Sequence, residues 1–127
     1  MKQSVRQKVF DKYGGKCAYC GCDLPTRWHI DHANALHRNS FWCKERKKFI
    51  TDGTCNHPEN ENFENYMPSC PSCNISKSTL SIEDFREWIQ DGVRRLNDNH
   101  YNAYKFGKRF GLIKETGATV KFYFETI

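Results

Sequence analysis

Two pairs of cysteines constrain this chain more than anything else in it. Cys17 and Cys20 stand three apart near one end, and Cys70 and Cys73 repeat that spacing far downstream. The turn in a Cys-x-x-Cys segment brings both sulfurs to one side, and two such pairs complete a tetrahedral, four-thiolate zinc site. A site of that kind is closed, and therefore structural rather than catalytic. It would tie the start of the chain to its middle; the competing reading is a set of buried free thiols. The metal matters because the chain has 127 residues and a mean hydropathy of -0.82. One domain of that size and polarity has a modest core, and metal binding can supply part of the missing folding free energy.

Seven cysteines in all could instead suggest a secreted disulfide framework. The count is odd and the paired spacing suits metal better. The stretch Met1–Phe10 is too polar to resemble a signal peptide. No apolar run approaches membrane-spanning length. The expectation is a reducing, cytoplasmic compartment. A net charge of +5 with a pI near 8.8 gives a mild bias toward polyanions.

Taken in order, Ser4 can cap a helix that puts Val5, Val9 and Tyr13 on one stripe and ends at Gly14-Gly15. Gly21 is free to take the positive φ of a tight turn after Cys20. Trp28 to His32 reads as a short strand that ends in Asp31 and His32. A carboxylate can hold a hard divalent cation, and a neutral imidazole can take a proton from water near pH 7. Taken alone, such a dipeptide is equally an ordinary surface pair. Residues 33–64 are the least readable. They carry the basic run Lys44–Lys48, a solvated face or a contact for nucleic-acid backbone, and Asp52-Gly53, which can close a hairpin. Cys22, Cys43 and Cys55, even with His37 and His57, have no regular spacing and read as stray thiols rather than a second metal site.

Asn65 precedes a short strand that ends at Pro68. If a helix runs on from Cys73, Asn74 and Lys77 share a face, offering a hard oxygen and a point charge suited to phosphate. Ser81–Asp84 resembles a capping box opening a helix with Ile82, Phe85, Ile89, Val93 and Leu96 on one stripe, stopped by Asn97–Asn99. Tyr101–Phe110 predicts a further helix closed by Gly111. Val120–Glu125 has the composition of a final strand, with Val120, Phe122 and Phe124 on one face.

The ordered set Cys-x-x-Cys (Cys17, Cys20), Asp-His (Asp31, His32), Asn65 and Cys-x-x-Cys-Asn-x-x-Lys (Cys70, Cys73, Asn74, Lys77) resembles the HNH endonucleases, whose site is a ββα-metal, or His-Me, finger. The resemblance runs from about Val5 to Thr79; the C-terminal part more loosely resembles small HNH proteins of phages and bacteria. It implies one domain over residues 1–127, of α+β class. Residues 1–80 would form a ββα core stapled by zinc on Cys17, Cys20, Cys70 and Cys73, and residues 81–127 would add helices and a C-terminal strand. It further implies a catalytic set of His32, Asp31, Asn65 and Asn74. His32 would be the general base, Asp31 and Asn74 would hold one Mg²⁺ or Mn²⁺, and Asn65 would orient the loop after His32. Lys77 would contact nucleic acid. The implied substrate is DNA, double-stranded, cut by phosphodiester hydrolysis, with activity falling below the ordinary histidine pKa of about 6.5. Two sites in a homodimer would allow a double-strand break, although no dimer seam is visible.

Three departures stand out. The motif's third residue, often His, is here Asn74, which keeps an oxygen ligand. The segment between His32 and Asn65 is longer than the family's usual one. In a regular strand His29 and Asp31 share a face while His32 points away, which leaves His29 as a rival base or ligand. The alternative function is a non-catalytic, zinc-containing module that binds nucleic acid.

Overall fold

The structure, a computed structural model, describes residues 2–127. The described residues include five α-helices, three single-turn 3-10 helices and two two-stranded antiparallel sheets. The chain divides into two compact units: residues 1–82 with 122–127, and residues 83–121.

In the larger unit, helix α1 spans Gln3–Asp11 and buries Val9. Its start is Lys2 rather than Ser4, which lies inside the first turn with no capping bond. Strand β1 (His29–His32) pairs antiparallel with β4 (Tyr66–Ser69), setting His29 opposite Ser69 and His32 opposite Tyr66. Helix α2 (Pro71–Lys77) follows β4 at once. Pro71 suits its first turn, and Cys70 caps it through a sulfur that accepts from the Cys73 N–H. The core joins Val9, Trp28 and Tyr66, with Val5, Phe10, Leu24 and Ile30 packed against them. Arg6 lies 4.0 Å above the Trp28 ring and donates to the Trp28 carbonyl at 2.8 Å.

Between β1 and β4 the chain inserts a second hairpin, β2 (Arg38–Cys43) and β3 (Lys48–Cys55). Its turn is formed by Lys44–Lys47, with Lys47 at φ 51. Asp52-Gly53 therefore does not close a hairpin. It lies within β3, where the register slips between the pairs Arg38–Cys55 and Ser40–Thr51. Gly53 at φ +87 and the Asp52 carboxylate, which accepts from the Thr54 N–H, make that irregularity.

The expected C-terminal strand is not one. Tyr123–Glu125 is a single 3-10 turn. The N–H groups of Tyr123 and Phe124 donate to the carbonyls of Tyr19 and Ala18, at 3.0 and 2.9 Å, so the segment ends on the first cysteine loop instead of pairing with a strand. Phe122 is nonetheless buried, and its ring meets Tyr19 edge-on.

The smaller unit is helical. The single helix expected from Ile82 to Leu96 is two, α3 (Ile82–Gln90) and α4 (Gly92–Asn99). They are separated at Asp91, whose ψ of -4° flattens the turn ahead of the weak helix former Gly92. Helix α5 (Tyr101–Arg109) ends before Gly111 at φ +74. No helix among the described residues is long and apolar enough to cross a membrane.

Candidate functional site

The two cysteine pairs meet. The sulfurs of Cys17, Cys20, Cys70 and Cys73 all lie within 4.8 Å of one another, with Cys20 and Cys70 3.8 Å apart. Zinc–sulfur bonds of about 2.3 Å, arranged tetrahedrally, set sulfurs about 3.8 Å apart, so the cluster suits one structural zinc ion. Local folding explains the convergence. Cys17 and Cys22 close the first loop through an N–H to carbonyl bond of 2.8 Å, and Gly21, at φ +77, leaves no room for a side chain beside Tyr123. The Ala18 N–H then donates to the Pro68 carbonyl at 2.8 Å, which docks this loop on β4. Cys17 is pulled down by the bond from Cys73, whose own thiol is pushed up by the same bond and by burial. No other metal-capable group of His, Cys, Asp and Glu exists among the described residues. Cys43 and Cys55 stand on separate strands of the inserted hairpin. Exposed Cys22 lies at the rim of the cluster, its thiol interacting with those of Cys20 and Cys70.

Beside the cluster is a cleft of about 500 Å³. His29, Asp31 and His32 line it from β1, Asn74, Ser78 and Thr79 from α2 and beyond, and His37 with Arg38 from the base of the inserted hairpin. Pairing of β1 with β4, which runs straight into α2, brings Asp31 and His32 to the same cleft as Asn74. His32 is the last residue of β1, and it lines this cleft together with His29 although a flat strand would set the two apart. The positive φ of His37 and Ser78, 53° and 48°, shows uncommon backbone on two walls.

His32 is held on both sides. Its Nε2 is 3.3 Å from Glu61 Oε1, and its ring meets Tyr66 edge-on at 5.4 Å. The Tyr66 hydroxyl donates to the same Glu61 oxygen at 2.5 Å. That bond, foremost, and the His32 contact hold the Glu61 carboxyl below its usual range, while Tyr66 is pushed up to about 12.

Asp31 is buried and accepts at Oδ2 from the Tyr19 hydroxyl, at 2.5 Å. Lys77 Nζ lies 3.1 Å from the same oxygen and donates to the His32 carbonyl at 2.8 Å. Burial, with the Asp31 charge beside it, keeps the Tyr19 hydroxyl protonated. Lys77 is wholly buried, turned into the protein rather than out to solvent. Among the described residues nothing bonds Asp31 Oδ1 or the Asn74 side-chain amide.

Asn65 is buried and ties down the chain after His32. Its Nδ2 donates to the carbonyls of Asn34 and Asn60, both at 2.8 Å, and its Oδ1 accepts from the Asn34 N–H at 2.8 Å.

Sequence reasoning overlooked Tyr19, Glu61 and Tyr66. Tyr19 stands inside the Cys-Ala-Tyr-Cys loop, and metal spacing draws attention to its neighbours instead. Glu61 reaches His32 across the insertion, and no spacing rule announces that. Comparison of the chain with models of protein families, with curated proteins and with solved structures finds no match.

Proposed function

We infer that the cleft is the active site of an endonuclease of the HNH type, hydrolysing phosphodiester bonds in duplex DNA with one divalent cation. The observation that carries this reading is the shared cleft: Asp31 and His32 on β1 and Asn74 on α2 line one cavity, in a strand–strand–helix arrangement adjoining a zinc-suited cysteine cluster. The HNH resemblance implies a site of this strand–strand–helix kind.

His32 takes the proton from the attacking water. Glu61 and Tyr66 fix its ring, so the nitrogen turned from Glu61 is the one offered to the cleft. Asn65 holds the chain beyond His32 in place and so positions the base. Asp31 Oδ1 and the Asn74 amide oxygen, both hard donors without partners, suit Mg²⁺ or Mn²⁺ better than zinc. Such an ion, when bound, stabilises negative charge developing on the phosphate. Lys77 braces this end of β1 from within, through Asp31 and the His32 carbonyl.

One observation favours a second reading, a non-catalytic zinc module that binds nucleic acid. Lys77 and Tyr19 both occupy Asp31 Oδ2, as they would if that carboxylate were only an internal strut. A supercoiled-plasmid assay with added Mg²⁺ or Mn²⁺ separates the two. Conversion of the plasmid by wild type, lost in His32→Ala and retained in His29→Ala, supports the nuclease. Folded, zinc-loaded protein that leaves the plasmid intact with either ion would replace it with the binding module.

A further inference from the structure

The inserted hairpin contributes nothing to the core, and that is its most informative property. No residue of β2 or β3 is buried. An isolated two-stranded ribbon is marginal by itself, yet this one exposes three large aromatics: Phe41 (52%), Trp42 (52%) and Phe49 (69%). Trp42 and Phe49 are cross-strand partners whose rings meet edge-on at 5.3 Å. Phe41 faces Ile50 on the opposite side of the ribbon, so both faces carry apolar surface.

The tip adds charge. Lys44, Arg46, Lys47 and Lys48 stand there with one acid, Glu45, and none of the four makes an ion pair among the described residues. The base of the hairpin opens on the cleft, since His37 and Arg38 line it beside Asp31, His32 and Asn74.

We propose that the β2–β3 hairpin is an arm that grips duplex DNA on one side of the cleft. A ribbon of two strands fits the major groove, about 12 Å wide. The six residues of β2 reach about 20 Å at about 3.3 Å each, or about six base pairs at 3.4 Å per step. Unpaired cations at the tip neutralise phosphates, while Trp42, Phe49 and Phe41 lie against sugars and base edges. A protein partner fits less well, because protein interfaces are depleted in lysine, and here lysines crowd the aromatic pair. The proposal deepens the nuclease reading by naming how its substrate is held, and it rests on that reading only for what occupies the cleft.

The test is binding, which needs no cleavage. Zinc-loaded protein is titrated onto a labelled duplex of about 30 base pairs by fluorescence anisotropy, from 50 to 300 mM salt, without Mg²⁺ or Mn²⁺. Each lost phosphate contact lowers the slope of log affinity against log salt by about 0.9. The variant Lys44→Ala/Arg46→Ala/Lys47→Ala/Lys48→Ala is therefore expected to lose about 3 to 4 units of slope and to bind at least tenfold more weakly at 150 mM salt. Trp42→Ala/Phe49→Ala is expected to weaken binding severalfold with the slope unchanged. Zinc content and circular dichroism confirm that both variants fold. The proposal is overturned if the four-cation variant keeps the wild-type slope, or if wild type binds no duplex at 50 mM salt. Tenfold preference for the corresponding single strand would also overturn it. So would an aromatic variant that binds DNA normally but turns a dimer into a monomer in sedimentation. A changed slope with an uncut plasmid would remove the nuclease reading and leave the arm; a cut plasmid with an unchanged slope would do the reverse.

Discussion

Lys77→Met tests whether this lysine is an internal brace or a contact for phosphate. The side chain is fully buried, 3.1 Å from an Asp31 carboxylate that is itself 8% exposed. Methionine fills similar volume but leaves Asp31 with the Tyr19 hydroxyl as its remaining donor, and it frees the His32 carbonyl. Breaking a buried pair from one side costs about 3–5 kcal/mol, because the remaining charge stays in a poorly solvating site. For a chain of this length, at roughly 4 °C per kcal/mol, the melting temperature falls by about 12–20 °C. Urea unfolding at saturating zinc, followed by fluorescence and circular dichroism, measures the cost. Adding Asp31→Asn removes the stranded charge, so the double variant regains at least about 1.5 kcal/mol over Lys77→Met. A surface phosphate contact behaves otherwise: stability stays within about 0.5 kcal/mol, and the salt slope of DNA binding falls by about 0.9. That pair of results would refute the brace.

Two further expectations follow from the same contacts. Purified protein carries one zinc per chain by metal analysis; Cys17→Ser or Cys73→Ser loses it along with cooperative unfolding, whereas Cys43→Ser and the rim variant Cys22→Ser keep it. The Glu61 carboxyl is depressed by its bond from Tyr66, so that bond contributes stability at neutral pH, above the ordinary glutamate pKa of about 4.3, and loses it as pH falls through the lower folded value. Tyr66→Phe should accordingly be less stable than wild type at pH 7 and indistinguishable from it at the acid end of the titration; a gap that persists there would mean the hydroxyl acts through something other than Glu61.

What could be read from the residues follows a physical divide. Metal spacing is local and short, so both cysteine pairs were legible, and so was the need for glycine at position 21. Helical periodicity placed α5 and its glycine stop correctly. The register of β1 against β4 depends on partners in separate parts of the sequence, and it decides that His32 faces Tyr66 and reaches Glu61. The hairpin was misplaced because Asp-Gly is the stronger turn signal on paper, while the chain turns at Lys44–Lys47 and spends Asp52-Gly53 on an irregular strand. The C-terminal alternation of Phe122 and Phe124 looked like a strand. Its rings do pack against Tyr19, but the backbone has a cysteine loop to bond to and no strand beside it. The inward contacts of Lys77 were not legible either: three residues from Asn74 says which helix face it shares, and says nothing of how far a flexible four-carbon stem turns inward.

The inward turn of Lys77 also connects the cysteine cluster to the cleft. Cys70 and Cys73 fix the first turn of α2, and Lys77 stands at its last residue, joined to Asp31 and to the His32 carbonyl. From the other side, Cys17 and Cys20 bracket Tyr19, whose hydroxyl meets the same Asp31 oxygen. Both halves of the cluster thus hold β1 at one carboxylate, each through a side chain lying within four residues of a cysteine. Loss of the ion would release both holds together. Zinc removal should therefore loosen β1 at Asp31 and His32, read as lost hydrogen-exchange protection of its amides. A metal ion held by the four cysteines would act on the cleft without touching it, through Tyr19 and Lys77 at the one Asp31 carboxylate.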